Sequence, residues 1–138
     1  MVDLNTEFGH RVEKRLREEV VLWLTTVGED LGPHPRPVWF VWDGSSFLMY
    51  SQRDTWKLRH IAKYPLVALH LNSDLEGEDV AVWRGRAEVV EGGPAANEVP
   101  EYLKKYSERI VDLGMAIPEF AAAYSVAIRV VPSAVRGA

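Results

Sequence analysis

The sequence predicts a mainly β fold, a six-stranded antiparallel barrel with peripheral helices, and three observations carry that reading. Runs rich in β-branched and aromatic residues recur with turn formers between them. Asp43-Gly44 gives a strong short-range hairpin signal. A long strand from Val80 to Val90 is interrupted by Gly85, where a bulge or sharp bend is expected. Long bent strands are what a small closed barrel needs, and closure removes exposed sheet edges.

Taken in order, Phe8, Val12 and Leu16 recur at four-residue spacing between charged residues, which predicts a surface helix over about 6 to 18. Val20 to Val27 reads as a strand that leaves into the turn formers of 28–33. Pro35 to Trp42 is the second strand, and Ser46 to Ser51 returns antiparallel to it after Asp43-Gly44. Asp54 is placed to cap the next helix, whose apolar face is Leu58, Ile61 and Ala62; Pro65 requires that helix to end near Lys63. Leu66 to Leu71 and Val80 to Val90 are two further strands. Val99, Tyr102, Leu103 and Tyr106 then restore helical spacing, and Ile117 to Ala123 is a shorter helical piece. The last strand, Tyr124 to Val131, sets Val126, Ile128 and Val130 on one face.

Composition narrows the function classes. The 138 residues fit one domain over 1–138, and 47% hydrophobic with 26% charged residues is ordinary for a soluble globular protein. Apolar runs such as Val20 to Leu24 fall far short of the roughly 20 residues a membrane span needs, and Met1-Val2-Asp3 opens without a basic, signal-like region. A cytoplasmic protein with no membrane partner is the expectation. The absence of Cys excludes thiol nucleophiles and Cys-ligated metals. A net charge of -4 argues against a general nucleic-acid binder, so an anionic ligand must meet a local cluster of positive charge.

Motifs for nucleotide-binding loops, HExxH zinc sites and nucleophile elbows are missing. His10, His34, His60 and His70 lack metal-ligand spacing, so no metal site is expected. Arg11, Lys14, Arg15 and Arg17 alternate with Glu13, Glu18 and Glu19, the pattern of a solvated helix face with i,i+4 pairs. Lys57 differs from these. It lies in the first turns of a helix, where free backbone N–H groups and the helix dipole favour an anion, and Arg53 just before the helix adds a second cation. Along the neighbouring strand Val38, Phe40 and Trp42 share one face while Trp39 and Val41 share the other. One of these faces is core; the other must meet a partner, a ligand or water.

Arg36-Pro37-Val38-Trp39-Phe40, Tyr50-Ser51, Lys57 and the helix-ending Pro65, in that order and spacing, resemble the pyridoxamine-phosphate-oxidase-like, FMN-binding split-barrel superfamily. More narrowly the chain looks like the actinobacterial branch of deazaflavin-dependent reductases that use coenzyme F420. The resemblance covers roughly Val20 to Val131. It implies a homodimer with two cofactor sites at the subunit interface. Arg36, Pro37, Val38 and Trp39 would lie along the cofactor ring and its side chain, Tyr50, Ser51 and Gln52 would line the path to the phosphate, and Lys57 would pair with the phosphate beside Arg53. The FMN oxidases of the superfamily carry an Arg-Lys pair where this chain has Trp56-Lys57, and their C-terminal segment for pyridoxal phosphate has no counterpart after the last strand. Both departures favour F420, with FMN as the alternative cofactor.

The implied chemistry is hydride transfer from the reduced deazaflavin to an unsaturated or conjugated small-molecule substrate, for which the protein binds, orients and excludes water. No catalytic acid, base or nucleophile is demanded. The proton donor stays open between water, Tyr50 and a substrate group. An FMN-dependent oxidoreductase and a non-catalytic cofactor- or tetrapyrrole-binding protein are the alternatives. A dimer is also expected because one barrel alone would leave the strand face around Trp39 exposed.

Overall fold

Two short hairpins, with turns at 28–32 and 43–46, sit in a sheet otherwise held together by pairings between strands more distant in sequence. The computed structural model describes residues 6–137, so Met1-Val2-Asp3, read above for a signal-like region, lies outside the described residues. The elements run α1 (Glu7–Glu18), β1 (Leu22–Val27), β2 (Pro33–Val38), β3 (Val41–Trp42), β4 (Phe47–Ser51), α2 (Trp56–Lys63), β5 (Leu66–His70) and β6 (Ala81–Val89), then a 3-10 turn at Ala96–Glu98, α3 (Pro100–Asp112), α4 (Ile117–Ala123) and β7 (Val126–Gly137). The seven strands form one antiparallel half-barrel in the order β2-β1-β5-β6-β7-β4-β3.

Seven strands replace the six expected, because the single strand predicted over Pro35 to Trp42 is two. β2 pairs with β1 up to Val38, while β3 pairs with β4 at the opposite end of the strand order. The chain crosses between them at Trp39-Phe40, and the main-chain groups of Phe40 bond to side chains instead of to a strand. The Phe40 N–H donates to the Tyr106 hydroxyl oxygen at 2.8 Å, and the Phe40 carbonyl accepts from the Tyr106 hydroxyl at 3.0 Å and from Lys105 Nζ at 3.2 Å. A buried backbone group must be paired, and here helix α3 supplies the partners that a sheet neighbour would otherwise provide.

Elsewhere the sequence pattern and the structure agree with local reasons. Thr6 caps α1 by accepting from the Gly9 N–H at 2.9 Å, and Val12 and Leu16 are buried, with Phe8 packed against the same cluster. Arg15 pairs with Glu19 and Arg17 with Glu13 on its outer face, as the charge alternation predicts. At the Asp43-Gly44 turn, Gly44 takes φ +99°, and the Asp43 carboxylate accepts from the Ser45 and Ser46 N–H groups at 2.9 and 2.7 Å. Between β6 and β7 the register shifts at Arg84/Gly85, the bulge expected there. A Cβ on Gly85 would lie 2.8 Å from the Val131 carbonyl oxygen, so only glycine permits this approach.

Three details of the helices and last strand depart from expectation. Asp54 does not cap α2; it adopts φ +58°, and Thr55 occupies the N-cap position. Thr55 Oγ1 instead bonds Ser51 Oγ at 2.9 Å, which leaves α2 without a side-chain cap. Ala62 faces solvent rather than the core, where Ile61 is buried. β7 runs on to Gly137 rather than ending at Val131, with Pro132 accommodated at the bulge.

The alternation along 38–42 divides the core in two. Val38 and Phe40, with Trp42 alongside, join the cluster inside the rolled sheet, together with Leu22, Leu24, Met49 and Trp83. Val41, with Trp39 alongside, joins a second cluster beneath α3 and α4 that contains Tyr102, Tyr106, Ile110 and Phe120. The Trp39 face, expected to need a partner chain, is therefore covered by helices of the same chain. No helix among the described residues is long and apolar enough to cross a membrane.

Candidate functional site

Two adjacent cavities share Pro37 and Lys57. The first, of ≈ 220 Å³, is walled by Val38, Trp39, Tyr50, Tyr102, Phe120 and Tyr124. The second, of ≈ 270 Å³, includes the polar side chains of Thr26, His34, Arg36, Thr55 and His60 together with Trp56. β2 brings Arg36 and Pro37 to the shared mouth, and β4 carries Tyr50 in from below. The 52–55 turn then sets the first turn of α2, with Lys57, against both.

The aromatic cavity is held rigid by ring contacts. Trp39 stacks on Tyr106 with centroids 4.6 Å apart and planes 9° from parallel, and lies 5.7 Å from Phe120. Phe120 stacks on Tyr124 at 4.5 Å, and Tyr50 meets Tyr102 edge-on at 5.1 Å. The Tyr50 hydroxyl donates to the Pro94 carbonyl at 2.8 Å, and burial pushes its pKa up. Burial pushes Tyr102 up further still. Flat apolar walls of this kind suit a planar ring system.

Lys57 is the electrostatic centre of the second cavity. Its ammonium is half-buried, has no carboxylate or hydrogen-bond partner among the described residues, and is pulled down in pKa by burial. The first turn of α2 holds no acidic residue, so no carboxylate within that turn offsets the positive potential of its free N–H groups. Arg36 is exposed at the mouth and likewise has no ion pair among the described residues. The histidines are tied to one another: the His34 and His60 rings lie 4.8 Å apart, His60 Nδ1 bonds Thr26 Oγ1 at 2.8 Å, and His34 Nε2 bonds Asp30 Oδ1 at 3.3 Å. No group of three or more metal-ligating side chains occurs among the described residues.

Of the residues singled out from the sequence, Arg36, Pro37, Val38, Trp39, Tyr50 and Lys57 line these cavities; Ser51, Gln52 and Arg53 do not. Ser51 is wholly buried and spends its hydroxyl on the Gln52 carbonyl and Thr55. Gln52 and Arg53 are exposed, with Arg53 Nε reaching Ser125 Oγ at 3.4 Å. Sequence reasoning missed Tyr102, read for its helical spacing, Phe120, inside the 117–123 helical piece, and Tyr124, read as the start of the last strand, as well as His34, His60 and Thr26. The signal for the aromatic trio was present in the composition of α3 and α4.

The family profile described as Pyridoxamine 5'-phosphate oxidase matches residues 8–136. A search of curated proteins found no match. Among solved structures, the chain is similar to an F420 reductase, with 24% identity, TM-score 0.66, and coverage of 90% of this chain and 94% of that one. It is also similar to a conserved hypothetical protein from Mycobacterium tuberculosis, at 19% identity and TM-score 0.73, covering 95% of this chain and 82% of that one. A heme storage protein from Vibrio cholerae, at 14% identity and TM-score 0.71, covers 96% of this chain with 95% of its own. At these identities the likeness is one of fold.

Proposed function

This chain belongs to the pyridoxamine 5'-phosphate oxidase family, and from that premise we propose that it is an oxidoreductase that holds coenzyme F420 across the two joined cavities and reduces an unsaturated or conjugated small molecule. One observation carries the reading: Lys57, a half-buried ammonium with no carboxylate partner among the described residues, stands where an aromatic cavity meets one that includes polar side chains. An unpaired, partly desolvated cation is costly to the free protein and favourable once an anion arrives.

The residues fit a phosphate-bearing deazaflavin. Trp39, Tyr102, Phe120 and Tyr124 enclose a planar ring, while Lys57 and Arg36 meet the phosphate, the role first assigned to Arg53 passing to Arg36. When bound, the reduced deazaflavin supplies the hydride. The chain's own part is to exclude water and fix the approach of the acceptor. Tyr50 is a poor source of the accompanying proton, because its hydroxyl is committed to Pro94 and burial raises its pKa. Trp56, 65% exposed and uncharged beside Lys57, supports F420 over FMN. Arg36 and Pro37 are exposed at the mouth, where a second copy of the chain would complete the site, and sedimentation should give a dimer.

Turnover tests the proposal. Mixing the protein with reduced F420 and a panel of quinones, bile pigments and unsaturated lactones should give acceptor-dependent return of the oxidised deazaflavin absorbance. Binding without oxidation by any acceptor would support a non-catalytic carrier instead. A yellow protein as purified would support an FMN-dependent oxidoreductase.

A further inference from the structure

α3 has a second flank. While Tyr102 faces the aromatic cavity, Glu101, Lys104, Lys105 and Arg109 of the same helix line a separate cavity of ≈ 330 Å³ against the end of α1. Its floor is apolar, made by Leu16, Val20, Val41 and Trp42. Its rim is cationic: Arg17, Lys104 and Arg109 stand with Lys105 against two carboxylates, Glu18 and Glu101, a local surplus in a chain of net charge -4.

Two further observations point to an anionic ligand. Lys105 Nζ donates to the Leu16 carbonyl at 3.1 Å and the Phe40 carbonyl at 3.2 Å, and it lies 3.6 Å from the Phe40 ring centroid. Two carbonyls and the ring face thus fix the ammonium at the cavity, where it contributes positive charge. Lys104 and Arg109 have no ion pair among the described residues, whereas Arg17 is bridged to Glu13 at 3.6 Å. Unpaired cations, an apolar floor and a positive rim together describe a receptor for a small amphipathic anion.

We propose that this cavity, bounded by Lys104, Lys105, Arg109 and Trp42, binds a small organic monoanion with an apolar body, of the aryl- or alkyl-carboxylate class, independently of the cofactor cavities. Glu18 and Glu101 offset part of the rim's positive charge and leave a modest surplus for a small anion. The apolar body lies on Val41 and Leu16, and the carboxylate meets Lys105 and the α3 cations.

Calorimetric titration of the full chain with naphthalene-2-carboxylate at low salt tests this. Measurable binding is expected, with the neutral naphthalene-2-methanol about 10-fold weaker or more, since it lacks the charge-assisted contacts. The double variant Lys104→Glu, Arg109→Glu, both exposed, should weaken the carboxylate by about 10-fold or more. Lys57→Ala should leave it unchanged. Absence of binding by wild type, equal binding of the neutral analogue, full retention by the double variant, or an equal loss in Lys57→Ala would each overturn the proposal. The last of these would move the anion to the cofactor cavities, leaving the proposed oxidoreductase function intact.

Discussion

Replacing Lys57 with alanine separates a ligand-binding cation from a structural one, because the two roles move different observables. The side chain makes no hydrogen bond or ion pair among the described residues, so the native fold loses no polar contact with it. Burial already holds its pKa down, so the charged form is less comfortable in the folded chain than in the unfolded one. Urea unfolding of Lys57→Ala should accordingly stay within about 0.5 kcal/mol of wild type. Cofactor binding should not. A charge-assisted hydrogen bond contributes about 1.5–3 kcal/mol, which corresponds to a loss of affinity of about 10- to 100-fold. Lys57→Arg, which keeps the charge, should lose less. F420 binding followed through protein fluorescence reads the first quantity and the urea midpoint the second. Unchanged affinity, or a large loss of stability with none of affinity, would return Lys57 to an ordinary lysine of the α2 surface.

Gly85→Ala should cost about 1–3 kcal/mol in urea unfolding, because its Cβ would press on the Val131 carbonyl across the bulge; a stability equal to wild type would contradict the bulge geometry. At Asp43 partial burial raises the carboxyl pKa, but the Ser45 and Ser46 N–H groups and hydroxyls together outweigh it and hold it at about 2, below its usual 3.8. Its contribution is present above the usual value and lost as pH falls through about 2. Because the Asp43 carboxylate is nearly half exposed and screened by solvent, Asp43→Ala should destabilise by only about 0.5–1 kcal/mol at neutral pH and converge on wild type near pH 2. Burial pushes Lys105 down from 10.5 to about 8, so between those values the unfolded chain binds more protons and stability should rise with pH. Lys105→Met should flatten that rise, as urea midpoints across this window would show.

What could be read from the sequence was what local chemistry decides. The Asp43-Gly44 turn, the Gly85 bulge and the 117–123 helix follow from residues within a few positions of themselves. The break at Trp39-Phe40 does not. Its cause is Tyr106 and Lys105, some sixty-five residues downstream, which take the Phe40 main-chain groups from any strand partner. The same distinction runs through the site. That Lys57 and Trp39 were worth singling out was legible from the α2 helix pattern and the alternation along 38–42. Ser51 and Gln52 came from the family resemblance and Arg53 from its place before the helix, yet Ser51 turns inward to Thr55 and the other two are exposed. Tyr102 and Phe120 looked like helix core, and they are; packing on Trp39 and Tyr50 also makes them cavity walls.

The account turns on which anion the Lys57 cavities accept. Parallel titrations of the wild-type protein with F420 and with FMN, read through quenching of its five tryptophans, of which Trp39 and Trp56 line the cavities, address that directly. Saturable quenching by F420, at least about 10-fold tighter than by FMN and weakened in Lys57→Ala, is the predicted result. Tight binding of FMN with no response to F420 would contradict it.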